Sequence, residues 1–233
     1  MGFLLIQQPT FEQNGLQVKT YPFLTSPTFQ KEVNKAFRQF KPALHANNKL
    51  CRAVRWGVLA NDQILFSTRN TYQLSAKFNP EESGRTRIMD LIPDSLLCTP
   101  QIQQLIRDVF KTFHPEGNSY LHNYIVQLSA IRYAPTPSSA CYPSPDMPYQ
   151  DGFNNGIIVL NKTPNLTGGR TRIYNMNNQL LYEADLKAGQ GVFVEDTRWK
   201  HQVEPMLINT QHSGANAPCH RDILIIRIDP AKR

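Results

Sequence analysis

The chain contains no CxxC pair, no polybasic run, no internal repeat and no apolar stretch of membrane-spanning length. Each absence removes a class. Its four cysteines, Cys51, Cys98, Cys141 and Cys219, are scattered, so neither a zinc knuckle nor a compact disulfide framework is indicated, and free thiols in a reducing cytoplasm are expected. The opening MGFLLIQQPTF holds a short apolar patch with no basic flank ahead of it, and Gln7 and Gln8 interrupt it. It reads as a first strand or an arm rather than a targeting or membrane segment. Ile6 stands where a myristoylation signal has Ser or Thr, which argues against a lipid anchor.

Negative charge is the scarcer sign: 25 Lys and Arg face 18 Asp and Glu, a formal charge of +7. The basic residues are spread out, as in Lys31, Lys35, Arg38 and Lys41, then Arg52 and Arg55, then Arg85 and Arg87. No interleaving of aromatic and basic residues marks a nucleic-acid face, so a cationic solvated surface and a small-molecule partner are expected, with neither nucleic acid nor membrane. Nothing in the chain speaks to oligomeric state.

What is present is enough for a large core, with 40% hydrophobic residues in 233. Two segments have helical spacing. Phe29, Val33, Ala36, Phe37 and Phe40 follow Ser26-Pro27, and Ile102, Leu105, Ile106, Val109, Phe110 and Phe113 follow Thr99-Pro100; a capping residue before a first-turn proline predicts each start. Strand character marks residues 53–59, 64–68, 120–133, 156–161, 171–174, 180–184, 191–194, 200–204 and 222–228. Many short strands after two helices predict a mainly β fold with flanking helices, a double-stranded β-helix of the jelly-roll, cupin-like kind. One domain over residues 1–233 is expected. Residues 1–118 would supply helices and supporting strands, and residues 119–233 the core that carries the site. The proline-rich segment 134–148 reads as a loop, either a lid or a linker.

The chemistry concentrates between Pro148 and Asp229. Tyr149 and Asp151, at i and i+2 of an expected strand, point the same way, and His201 on a neighbouring strand completes a three-residue face. Non-haem iron sites use such a face of two histidines and a carboxylate, which leaves adjacent positions open. Arg221, ahead of a long apolar strand, suits bidentate capture of a carboxylate. Taken singly, each residue has a plainer reading: Asp before Gly as a turn, a strand His as core, Arg-Asp as an edge ion pair. Gly168-Gly169 is explained by a tight turn between strands, and Trp56 and Trp199 by the core.

The order of these elements carries more than any one of them. Asp151-Gly152, Gly168-Gly169, Ile173-Tyr174, Asp196 with Arg198, His201 with Pro205, and Arg221-Asp222 follow one another as they do in the iron(II)/2-oxoglutarate-dependent dioxygenases. Within that group the chain resembles the small family of bacterial free amino-acid (isoleucine-type) hydroxylases, from about Tyr120 to the end. The resemblance implies Asp151 and His201 as metal ligands, Arg221 as the group that binds the distal carboxylate of 2-oxoglutarate, and Fe(II), another metal or Fe(III) as the ion. It implies hydroxylation of a small substrate, an amino acid or derivative, whose carboxylate Gln127, Arg132 or Arg172 would hold. Tyr149 stands where the family has its first ligand histidine. Three alternatives follow: Tyr149 coordinates an unusual centre; Asp151 and His201 act with another donor, for which His122, His212 and His220 are weak candidates; or the chain is a non-catalytic jelly-roll protein that binds a ligand or partner.

Overall fold

Alternation along two long strands decides the architecture. In Tyr124–Tyr133, Val126, Leu128 and Ala130 belong to one hydrophobic cluster and Ile131 and Tyr133 to another. In Arg221–Pro230, Leu224, Ile226 and Ile228 join the first cluster and Ile223 the second. Successive side chains of a strand point to opposite faces, so a sheet built on these strands is buried on both sides. The computed structural model describes residues 15–42, 50–72, 86–209 and 218–231.

In chain order the strands are β1 (Leu16–Thr20), β2 (Leu50–Ala60), β3 (Gln63–Phe66), β4 (Thr71–Tyr72), β5 (Arg87–Ile88), β6 (Asp90–Leu91), β7 (Tyr124–Tyr133), β8 (Asn155–Lys162), β9 (Leu166–Gly168), β10 (Thr171–Tyr174), β11 (Leu180–Ala184), β12 (Gln190–Val194), β13 (Lys200–Val203), β14 (Met206–Ile208) and β15 (Arg221–Pro230). The helices are α1 (Pro27–Phe37), α2 (Asp94–Leu97) and α3 (Pro100–Phe113). The main sheet runs β1-β12-β8-β15-β7-β2-β3, antiparallel throughout, with β6 added in parallel beside β2. Facing it are the sheet β11-β10-β13 and the pair β14-β9. This is the jelly roll that the strand pattern predicts, and β1, β2 and β3 show that residues before 119 enter its main sheet.

The outer face of the main sheet is covered by helices. Phe29, Val33 and Phe37 of α1 and Ile102, Leu105, Ile106 and Val109 of α3 are all buried there, each such side chain contributing about 1.5–3 kcal/mol through burial. Thr99 caps α3 by accepting from the Ile102 amide at 3.4 Å, as its sequence predicts. Ser26 makes no such bond for α1. Instead, Gln30 Nε2 donates to the Leu24 and Leu160 carbonyls, both at 2.7 Å, and ties the helix to β8. Among the described residues no helix is long and apolar enough to cross a membrane, and none of the four cysteines forms a disulfide.

Several local expectations are revised. The strand expected from Tyr120 begins at Tyr124, because Asn118 Oδ1 accepts from the Tyr120 amide at 2.9 Å and holds a turn there. Strand β1, helix α2 and a 3-10 turn at Pro22–Thr25 had no periodicity to announce them. Tyr149 and Asp151 are not on a regular strand: Tyr149 makes a single antiparallel bridge to His201, and the chain then turns through Gly152 at φ +86°. The patch at residues 1–11 lies outside the described residues.

Candidate metal centre and carboxylate pocket

His201 lies on β13, and the Tyr149 bridge lengthens the β11-β10-β13 sheet by one residue at that point. The Tyr149 N donates to the His201 carbonyl at 3.1 Å and the His201 N to the Tyr149 carbonyl at 2.9 Å. Their rings lie 4.3 Å apart between centroids. This backbone pairing brings Asp151, two residues on, toward the imidazole: Asp151 Oδ2 is 3.7 Å from His201 Nε2.

Asp196 fixes both partners. Its side chain is wholly buried, and Oδ1 lies 2.7 Å from His201 Nδ1. Its Oδ2 accepts from the Gly152 amide at 2.6 Å and also from the Asp151 amide, while its carbonyl accepts from Gln150 Nε2 at 2.5 Å. A carboxylate only accepts, so Nδ1 of the imidazole carries the hydrogen and Nε2 of the neutral ring keeps its lone pair for Asp151's side of the site.

The electrostatics match that geometry. Burial pushes the Asp151 carboxyl above the ordinary aspartate value; His201 opposes this and Asp196 adds to it. For His201, burial disfavours the cation, but the Asp196 hydrogen bond and the Asp151 charge outweigh it and the imidazole holds its proton to higher pH than usual. The Tyr149 phenol is pushed well up, first by burial and then by Asp151.

Arg221 stands apart from these groups, in the interior. It is 2% exposed, donates from Nη1 to the Gly169 carbonyl at 2.7 Å and approaches Thr171 Oγ1 at 3.5 Å from Nη2; its Nε has no hydrogen-bond partner. Gly169 has φ +75°, and a Cβ there would lie 3.3 Å from Nη1. The two glycines therefore turn the chain from β9 to β10, and Gly169 also shapes the bed of the guanidinium. Tyr149 and Asp151 open on a cavity of about 390 Å³ whose wall includes Arg52, Gln127, Ser129, Tyr133 and Arg227. Tyr142, Pro143 and Pro145 of the proline-rich loop complete its rim.

The model of the 2OG-Fe dioxygenase family matches residues 34–227. The chain belongs to that family. It is 25% identical over 164 residues to L-isoleucine-4-hydroxylase of Bacillus thuringiensis, a match that takes in 70% of this chain and 66%, just under two thirds, of that relative. Among solved structures it is similar to IDO from Bacillus thuringiensis (TM-score 0.73, 17% identity, 95% of this chain and 92% of that one). It is also similar to a bsmA homologue from Methylobium petroleophilum PM1 (TM-score 0.77, 16% identity, 94% and 89%). At such identities the two structures bear on the fold alone, and both agree with it.

The 2OG-Fe dioxygenases use Fe(II) and 2-oxoglutarate, and this chain's residues fit both. An imidazole whose far nitrogen is locked to Asp196 turns its other nitrogen on a carboxylate 3.7 Å away, an arrangement of N and O donors suited to a first-row divalent metal. The departure is the third donor: among the described residues no group of three or more His, Cys, Asp and Glu could hold a metal, and the ring beside the imidazole, 4.3 Å between centroids, is that of Tyr149. For 2-oxoglutarate the fit is Arg221, a buried cation with an unpartnered Nε and no carboxylate paired to it among the described residues. An arrangement of that kind is costly unless an anion completes it.

Other expected residues fall in different places. Gln127 is buried in the cavity wall. Arg132 is not there: it lies on the helix-covered face of β7, where Nε and Nη2 each bond Asp222 at 2.7 Å and the guanidinium lies 5.3 Å from the Phe37 ring. Arg172 is also elsewhere, because Thr171 and Ile173 take the inward positions of β10 and leave Arg172 outside, paired with Glu183 and Glu204. Neither arginine reaches the cavity. His122 is exposed, His220 turns to Asn161 and Asp222, and His212 lies outside the described residues. Sequence reasoning missed the clamp formed by Asp196, though an acidic residue five positions before His201 was a signal. It also missed Arg52, a charge set among the apolar residues of β2.

Proposed function

We propose that the protein is an iron(II)- and 2-oxoglutarate-dependent dioxygenase that hydroxylates a small substrate, an amino acid or a derivative of one. On this reading Asp151 and His201 hold the metal, Tyr149 takes the third protein position, and Arg221 binds the distal carboxylate of 2-oxoglutarate. The observation that carries it is the His201 ring, clamped at Nδ1 by buried Asp196 and facing Asp151 across 3.7 Å. The small cavity beside that pair and the likeness to L-isoleucine-4-hydroxylase support the substrate class.

When bound, the metal supplies redox chemistry toward dioxygen, with one oxygen atom passing to the substrate and the other to succinate as carbon dioxide is released. The chain's own contributions are positional. Asp196 holds the imidazole tautomer and, through two backbone amides, the approach of Asp151. Arg221 neutralises the cosubstrate's far end inside the barrel, and the cavity wall keeps the substrate beside the metal position. Groups held in place beforehand lower the entropic cost of bringing reactants together.

Anaerobic titration with Fe(II) and 2-oxoglutarate tests this. The wild-type protein is expected to develop the charge-transfer absorbance of the chelate, Asp151→Ala and His201→Ala to lose it, and aerobic turnover to yield succinate. A phenolate-to-ferric band that disappears in Tyr149→Phe would support direct ligation by Tyr149. If wild type takes up no metal while Tyr149→His does, catalysis by the natural protein is excluded and a binding role replaces it.

A further inference from the structure

Three guanidinium groups, of Arg52, Arg87 and Arg227, stand in the cavity wall against one carboxylate, that of Asp151. Asp151 faces His201 and is committed to the metal on the reading above. Arg87 has interactions of its own. Arg227 is already neutralised, since its Nε donates to Asp229 and its Cζ lies 4.0 Å from the Phe153 ring centre. Arg52 is not. Its Nε is buried without a hydrogen-bond partner, its guanidinium lies 5.8 Å from the centre of the Tyr72 ring, and among the described residues it makes no ion pair.

Register explains where Arg52 points. On β2 it pairs with Ile131 of β7, and directly opposite residues share a face. Ile131 belongs to the barrel-side cluster, so Arg52 is directed to the same side as Gln127, Ser129 and Tyr133. A half-buried guanidinium whose Nε is enclosed without a partner is matched by the two oxygens of a carboxylate, which it binds in a fork.

We propose that Arg52 anchors a carboxylate of the substrate, and that the substrate enters as a net anion. This deepens the small-substrate dioxygenase reading and rests on it. Gln127 and Ser129 offer a neutral amide and hydroxyl in the same wall. An ammonium group would meet only Asp151 among the carboxylates of the described wall. An acid whose amine is masked, or one with a second carboxylate, therefore fits better than a simple zwitterion, and an amide fits worst. The cosubstrate is an anion too, but the buried cation suited to it is Arg221, which is not part of this wall.

Calorimetry on the Fe(II)-loaded protein with 2-oxoglutarate, kept anaerobic, tests this with N-acetyl-L-isoleucine, L-isoleucine and L-isoleucinamide. The acetylated acid is expected to bind most tightly, the zwitterion less so, and the amide roughly 10- to 100-fold more weakly than the acetylated acid. Arg52→Gln should remove a similar factor from the acetylated acid, leave the amide unchanged and retain the chelate absorbance, and Arg52→Lys should recover part of the loss. Equal binding of acid and amide to wild type overturns the proposal without any variant, as does failure of every acid to bind. It is also overturned if Arg52→Gln leaves acid affinity intact, or if the variant loses the chelate band instead, which would give Arg52 to the cosubstrate. The same titrations on metal-free protein separate the two readings. Arg52-dependent acid binding by the metal-free protein, together with no chelate band when Fe(II) and 2-oxoglutarate are added, sinks the dioxygenase and keeps the anchor, whereas a chelate band in the Fe(II)-loaded protein with Arg52-independent acid binding does the reverse.

Discussion

The two faces of the main sheet treat buried charge in opposite ways. On the helix side Asp222 and Arg132 lie opposite each other in the β15–β7 register and close a two-pronged ion pair, with Asp222 wholly buried and Phe37 against the guanidinium. On the barrel side Arg221, the very next residue to Asp222, is equally buried but has one carbonyl at good distance, an open Nε and no paired carboxylate among the described residues. Strand alternation sends these neighbours to different environments. One is finished by the protein itself; the other keeps an unpartnered Nε. Burial of charge by itself therefore marks no site, and on the function proposed above it is the incomplete charge that does.

The largest effect that would break this comparison comes from the helix side. Asp222→Ala strands Arg132 under α1 and is expected to cost about 3–5 kcal/mol of stability, measured by denaturant unfolding, while metal affinity per folded molecule stays the same. A loss below about 1 kcal/mol would show that the pair is no more structural than a surface bridge. Arg221→Met should behave in the opposite sense. Stability should stay within about 1 kcal/mol of wild type, since the bond to Gly169 and the long contact to Thr171 are all that is lost, whereas 2-oxoglutarate affinity should fall roughly 100-fold, about 3 kcal/mol. If Arg221→Met unfolds the protein and Asp222→Ala abolishes cosubstrate binding, the two roles are reversed.

Much of this arrangement was legible in the sequence wherever a local pattern determined it. Helix α3 announced itself through Thr99, Pro100 and the spacing from Ile102 to Phe113, and strands β10 and β11 begin and end at the expected residues. What was not legible depends on partners distant in the chain. That Arg132 meets Asp222 follows from the long pairing of β7 with β15, and that Arg52 looks into the barrel follows from its place opposite Ile131. Strand β1, with its mixed LQVKT sequence, forms because β12 offers it an edge. The outward turn of Arg172 was readable in principle, since Ile173 claims the inner face of the same strand. Around Asp151 the expected strand is absent because the backbone amides of Asp151 and Gly152 turn to the Asp196 carboxylate. A sequence pattern registers side-chain periodicity, not that competition for amides.

A smaller effect sharpens the barrel side alone. Asp196→Asn keeps one acceptor oxygen but loses the charge shared among His201 Nδ1 and two amides. Metal affinity is expected to fall about 10- to 100-fold, as for other partners of ligand residues, with a stability loss of about 1–3 kcal/mol. Competition against a chelator reads the first quantity and thermal unfolding the second. Unchanged metal affinity at reduced stability would leave Asp196 as a packing residue and remove the link between its buried carboxylate and the site.

The smallest effect lies where the two faces meet. His220 precedes Arg221, lies 3.3 Å from Asn161 Nδ2 and 3.6 Å from Asp222, and burial holds its imidazole below the ordinary histidine value, with Asp222 partly opposing the shift and Arg132 adding to it. The unfolded chain therefore binds the proton first as pH falls. Stability is complete above the ordinary value near 6.5, declines as pH falls from there through the lower folded-state value, and levels off once both states are protonated. His220→Gln removes that titration and should flatten this part of the stability profile without changing the alkaline side. Melting temperatures across the acidic range read the difference between the two proteins. A profile unchanged by the substitution would mean that Asp222 compensates the imidazolium fully, so that the closed ion pair on the helix side also accommodates charge arriving from its edge.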